Sequence, residues 1–215
     1  MDIIKDHRPC IILDLDETLV HTQECEDTGV LNIYFRPGLK IFLTELYESF
    51  NFMVYTAGSS SYAEIIVGKI HELCEKVVIK HYLSAEHMAE SILDGVIYKH
   101  KCLNHFYNTL FKDLEIKKET LEGIIDYKIK DTIIIDNIDF NFHKYPNNGI
   151  YIINYYNDPF DRCLVDLYGF LIEWRLSHMD ADLFIIKNKY KLSNVIQDFW
   201  SNPTLVAEYN SVYTG

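Results

Sequence analysis

The chain reads as an α/β protein built on a mainly parallel central sheet. Three observations predict this. Five short apolar runs, most rich in branched residues, have the pattern of strands buried on both faces: Cys10–Leu13, Phe52–Tyr55, Val77–Ile79, Thr132–Ile135 and Ile150–Ile153. Helical patterns lie between them, and that alternation is how parallel strands are connected. The first run ends in Asp14-Leu15-Asp16, at the carboxyl end of a buried strand, where α/β sheets bind their ligands.

Each element has its own local signal. Leu39, Phe42, Leu43, Leu46, Tyr47 and Phe50 form one apolar stripe at helical spacing, and Pro37-Gly38 breaks the chain just before it. A second helix follows the serine run and covers Tyr62–Leu73. Leu164, Leu167, Tyr168, Leu171 and Ile172 form another stripe, with Asp161 as its N-cap. Residues 80–110 are less regular, but Val96-Ile97-Tyr98 after Asp94-Gly95 suggests a hairpin strand. There is no internal repeat and no clear linker. The whole chain, 1–215, is expected to form one domain, with its core over about 8–200 and a polar tail after Pro203.

The composition excludes some functions. With 48% apolar and 14% aromatic residues the chain is globular in type, and its net charge of −12 argues against non-specific nucleic-acid binding. Such a charge also repels an anionic ligand, so any anion site must be locally positive or carry a metal. The five cysteines (Cys10, Cys25, Cys74, Cys102, Cys163) show no CxxC pair and read as reduced, intracellular thiols. The start lacks the pattern of a signal peptide, and no run approaches the ~18 apolar residues of a membrane span.

Side chains two apart on an extended backbone lean to the same side. Asp14 and Asp16 can therefore divide labour, one attacking and the other moving a proton. Read as strand-closing caps instead, two such acids would be costly to bury unpaired. Asp136-Asn137 after Ile133–Ile135 reads locally as a turn. Ser59 or Ser60 reads as a helix N-cap beside Thr56. His100-x-Cys102-x-x-His105 lacks a fourth ligand for zinc and reads as incidental. Nothing near Cys25 in the sequence argues for a lowered thiol pKa, and Trp174 and Trp200 read as packing residues. Tyr55 and Tyr62 flank the proposed site.

The string Asp14-Leu-Asp16-Glu-Thr18-Leu-Val-His21 resembles the first motif of the haloacid dehalogenase superfamily of aspartate-nucleophile phosphatases. Its wording is closer still to the branch acting on the C-terminal domain (CTD) of RNA polymerase II, the small CTD phosphatase or NLI-interacting factor-like proteins. Arg36-Pro37-Gly38, Tyr55-Thr56-Ala57-Gly58 with Tyr62-Ala63, Lys112-Asp113-Leu114 and Ile135-Asp136-Asn137 follow in the order of that branch. The resemblance implies a Rossmann-like haloacid dehalogenase fold with a small β insertion over about 80–110, between the second and third motifs.

It also implies a chemistry. Asp14 would be the nucleophile that forms an aspartyl-phosphate, and Asp16 the acid and then the base. Mg²⁺ would be held by the Asp14 carboxylate, the Asp16 carbonyl and Asn137, with Asp136 acting directly or through a water. Thr56, with the backbone at Ala57 and Gly58, would hold the phosphate, and Lys112 would secure Asp14 and offset phosphoryl charge. Lys101, Lys117 and Lys118 compete with Lys112 for that role, and the spacing of 24 from Lys112 to Asp136 is longer than in compact members. The segment from His21 to Arg36 is short, so the proline-gripping pocket of compact members is not carried over. The expected substrate is a phosphoserine or phosphothreonine protein tail, possibly that of RNA polymerase II, with no direct nucleic-acid or membrane partner. The expected location is intracellular, nuclear by analogy, with the cytoplasm as alternative. A small-metabolite phosphatase and a catalytically silent phosphopeptide adaptor remain the rival readings.

Overall fold

The structure, a computed structural model, describes residues 6–79, 81–93, 95–112 and 117–192. Its centre is a five-stranded sheet in the order β5-β4-β1-β8-β9, formed by β1 (Cys10–Leu13), β4 (Asn51–Tyr55), β5 (Tyr82–Leu83), β8 (Thr132–Asp136) and β9 (Gly149–Tyr151). Every pairing in it is parallel. Strand β1 occupies the middle, so its side chains are covered on both faces. Ile11 and Leu13 enter one core cluster and Cys10 and Ile12 the other. This period of two is what an extended strand imposes.

Helices cover both faces. The first cluster takes the apolar stripes of α1 (Leu39–Leu46), α2 (Ser60–Leu73), α5 (Cys163–Ser177) and α6 (Ala181–Asn188). The second takes α3 (Leu103–Phe111) and α4 (Lys118–Lys130). Phe50 lies beyond α1 and packs against Trp174, ring centres 5.5 Å apart. Among the described residues no helix is long and apolar enough to cross a membrane.

Two antiparallel hairpins stand off the sheet: β2 (Val20–Glu24) with β3 (Leu31–Phe35), and β6 (Ala89–Leu93) with β7 (Val96–His100). The second is the expected β insertion. The first was not foreseen; its only turn signal is Gly29, at φ 65°.

The apolar run Val77–Ile79 is not a strand. Val77 and Ile79 are buried in the connection after α2, and the Ile79 N–H donates to His71 Nε2 at 2.9 Å, which ties it to the helix. The edge strand is β5, two residues long, and it pairs with the end of β4. Asp161 flanks α5 one position earlier than an N-cap would. Arg162 holds that place, yet the Cys163 N–H still donates to Asp161 Oδ1 at 3.0 Å. Asp113, Leu114, Trp200 and the tail after Pro203 lie outside the described residues.

Candidate active site

The strand register gathers the site. Leu13 pairs with Val54 on one side and Ile135 on the other. The residues that follow, Asp14, Thr56 and Asp136-Asn137, therefore emerge together at the carboxyl end of the three central strands. The loop after β1 is tightly wound. Thr18, Leu19 and Val20 all donate their N–H groups to the Leu15 carbonyl, at 3.2, 2.9 and 3.0 Å. Leu15 and Leu19 are fully buried and anchor the loop in the core. Glu17 completes the turn at φ 54°, in the left-handed region that costs a non-glycine residue about 1 kcal/mol or more.

Lys101 is the centre of charge. It is 1% exposed, and its Nζ lies 2.5 Å from both Asp14 Oδ1 and Asp136 Oδ2. Burial opposes its charge, but Asp136 and Asp14 outweigh that and hold its pKa above the ordinary lysine value. Asp136 is also closed in on its other oxygen, which accepts from the Ile138 N–H at 2.8 Å and from Asn141 Nδ2 at 2.9 Å. Burial pushes its carboxyl pKa up, and Lys101 works against that push.

Lys112 is not in this cluster. It is exposed at the C-terminal end of α3. The nine-residue helix α3 runs about 13 Å, at ~1.5 Å per residue, and separates it from Lys101. The β6–β7 hairpin delivers the lysine instead: β7 ends at His100 and the next residue enters the site. The separation of Lys101 from Asp136 is 35 positions, so motif spacing misdirects here. The sequence signal that could have found it is a lysine closing a hairpin strand just ahead of an apolar helix.

Asp16 stands on the opposite side. Its Oδ2 lies 3.5 Å from Thr56 Oγ1, and its Oδ1 accepts a short hydrogen bond from the Tyr62 hydroxyl. Burial raises its carboxyl pKa, with Tyr62 opposing, a direction that suits a proton donor. Thr56 is fully buried, and its Oγ1 accepts the Gly58 N–H at 2.9 Å. Helix α2 begins just beyond, capped by Ser59, whose Oγ accepts from the Tyr62 N–H at 3.3 Å. A helix start of this kind favours anions. Asn137 accepts from Thr18 Oγ1 at 3.3 Å and donates to Asn154 Oδ1 at 2.9 Å.

Arg36 has a different task. It is 1% exposed and makes a two-pronged pair with Asp161, at 2.9 Å from Nε and 2.7 Å from Nη2. It also donates to the carbonyls of Thr18 (3.0 Å) and Ile153 (2.9 Å). It thus clamps the loop after β1 to the segment after β9 and to the start of α5. Two side observations complete the picture. His100 is buried against His143, ring centres 4.5 Å apart. Cys25 corrects the expectation from sequence: hydrogen bonds from Thr28 and from backbone N–H groups lower its thiol pKa.

The chain is similar to known proteins. The family model for NLI interacting factor-like phosphatases matches residues 9–182. Nuclear envelope morphology protein 1 of Saccharomyces cerevisiae is 25% identical over 207 residues, covering 86% of this chain and 43% of the relative. CTD nuclear envelope phosphatase 1B of Danio rerio is 25% identical over 185 residues, covering 74% of this chain and 64% of the relative. The chain thus spans less than two thirds of either relative. Among solved structures, that of Fcp1, an essential RNA polymerase II CTD phosphatase, aligns at a TM-score of 0.45 and 19% identity, covering 95% of this chain and 53% of that one. With 174 of its 215 residues inside the family match, the chain belongs to the NLI interacting factor-like phosphatases, the branch of the haloacid dehalogenase superfamily that its motifs resemble.

Proposed function

We propose that this chain is a Mg²⁺-dependent phosphoserine/phosphothreonine protein phosphatase that works through an aspartyl-phosphate. The observation that carries the reading is the pairing of Lys101 with Asp14 and Asp136, opposite Asp16 and Thr56. An Asp14 carboxylate oxygen attacks phosphorus, and the bond from phosphorus to the serine or threonine oxygen breaks. Asp16 gives its proton to that leaving oxygen. A water then attacks the aspartyl-phosphate, loses a proton to Asp16, and releases inorganic phosphate and free Asp14. Lys101 steadies Asp14 and offsets phosphoryl charge; Thr56 and the backbone at Ala57 and Gly58 hold phosphate oxygens.

The donor set fits a hard cation. Lys101 takes one oxygen of Asp14, and both oxygens of Asp136 are already engaged. The second Asp14 oxygen, the Asp16 carbonyl and Asn137 Oδ1, which keeps a lone pair beside its long 3.3 Å bond from Thr18, would form an all-oxygen set, with Asp136 acting through Lys101. When bound, Mg²⁺ supplies positive charge beside the transferring phosphoryl group.

Among its described residues the insertion over about 80–110 contains one two-stranded hairpin, β6–β7, a small cover that favours an open cleft and a peptide substrate. We assign the substrate to a phosphorylated protein tail, with that of RNA polymerase II as one instance, and the location to the nucleus or nuclear envelope, following the names of the relatives. The test is hydrolysis of p-nitrophenyl phosphate with and without Mg²⁺, wild type beside Asp14→Asn, then phosphopeptides against sugar phosphates. Mg²⁺-dependent turnover lost in the variant is expected. Undiminished turnover in Asp14→Asn sinks the mechanism, and preference for sugar phosphates sinks the substrate class.

A further inference from the structure

Tyr62 sits in the first turn of α2 and reaches back over the loop after β1. Its hydroxyl donates to Asp16 Oδ1 and lies 3.4 Å from Thr22 Oγ1. The ring fills the space above Gly58, where an added Cβ would come within 2.7 Å of Tyr62 Cδ1. The glycine of the second motif therefore makes room for this ring as well as for backbone approach. A phenol keeps its hydrogen at neutral pH, so the O–H is a donor to the carboxyl oxygen it touches.

Resting on the phosphatase reading above, we infer that Tyr62 is a positioning residue for Asp16: it fixes the carboxyl rotamer and, by occupying Oδ1, leaves Oδ2 to carry the transferable proton. A carboxylic acid has one oxygen that accepts and one that carries hydrogen. A permanent donor on Oδ1 assigns the two. The oxygen left for the proton, Oδ2, meets the Thr56 hydroxyl only at a long 3.5 Å, and it lies on the side where the phosphate is proposed to be held. Without the hydroxyl the carboxyl can turn, and the proton is presented in the right place only part of the time.

Tyr62→Phe keeps the ring and its fit over Gly58 and removes only the hydroxyl. The discriminating measurement is kcat/KM for two small esters, each with one ring. Benzyl phosphate expels an alkoxide and needs the proton; p-nitrophenyl phosphate expels a stable phenolate and needs it little. The expected result is a loss of about tenfold or more with benzyl phosphate and under about threefold with p-nitrophenyl phosphate, a part of the ~10²–10⁴ that general acid catalysis contributes. Equal losses on both esters, or none on benzyl phosphate, overturn the inference. A crystal structure of Tyr62→Phe gives a readout free of turnover: Asp16 in a new rotamer supports the inference, and an unmoved carboxyl overturns it. Failure of the wild type on both esters would remove the phosphatase reading, and the crystal structure would then decide on Tyr62 alone.

Discussion

Arg36 and Lys101 are both 1% exposed, yet they are held in opposite ways. Arg36 donates four hydrogen bonds, two of them to a single carboxylate, Asp161. One positive charge meets one negative, and the planar fork is matched by its partners. Lys101 stands between two carboxylates, so its cluster keeps a surplus negative charge. The first arrangement is electrically closed and ties three segments together. The second keeps a negative charge that a bound cation would neutralise, as the proposed mechanism requires. Burial alone therefore does not distinguish the proposed reactive cluster from the structural clamp; incomplete neutralisation does.

That contrast can be broken by substitution. The largest effect on stability is expected for Arg36→Ala. It strands Asp161, the buried Thr18 carbonyl and the part-buried Ile153 carbonyl, at a cost of about 3–5 kcal/mol, and lowers Tm by roughly 10 °C for a domain of this size. Thermal unfolding measures it, and turnover per folded molecule at low temperature should stay within about threefold of wild type. A variant that keeps its Tm but loses turnover would move Arg36 into the reactive group.

Lys101→Met comes next. Removal of one preorganised charge typically costs ~10²–10³ in kcat, so a fall of at least about 100-fold is expected in steady-state assays. Mg²⁺ at about 100 times its Kd should stabilise the wild type by about 2.7 kcal/mol, read as a denaturant midpoint shift; Asp14→Asn should lose most of that shift. The smallest effect belongs to Lys112→Met. With its side chain exposed at the end of α3, it should leave turnover and Tm within ordinary scatter, and a large loss there would reverse the assignment to Lys101.

Much of this arrangement was legible in the sequence. Strands buried on both faces announce themselves as branched apolar runs, and β1, β4 and β8 fall where their runs predicted. The acid pair, Thr56 and Asp136-Asn137 sit at strand ends, so finding the strands found them. The failures share a physical cause. Lys101 is recruited by tertiary contact, at the end of a hairpin whose outer residues Ile92, Val96 and Ile97 are exposed, and its one local signal, its place between a hairpin strand and an apolar helix, carries less weight than the motif match at Lys112. Val77–Ile79 has strand composition but is spent on packing beneath α2, while a two-residue edge strand is too short to leave a period. Tyr62 was visible as part of the second-motif match and as a flank of the site, but not as a partner of Asp16, which lies 46 positions away.

The shared register of β1, β4 and β8 acts as a gauge block for the chemistry. An insertion inside any of these strands would turn the residue at its tip to the other face of the sheet and take Asp14, Thr56 or Asp136 out of the set. An insertion between strands would leave the gauge untouched. Length variation is thus tolerable in the β2–β3 hairpin and α4, and intolerable in β1, β4 and β8. Change in substrate preference can accumulate in the connections while the reacting atoms keep their places.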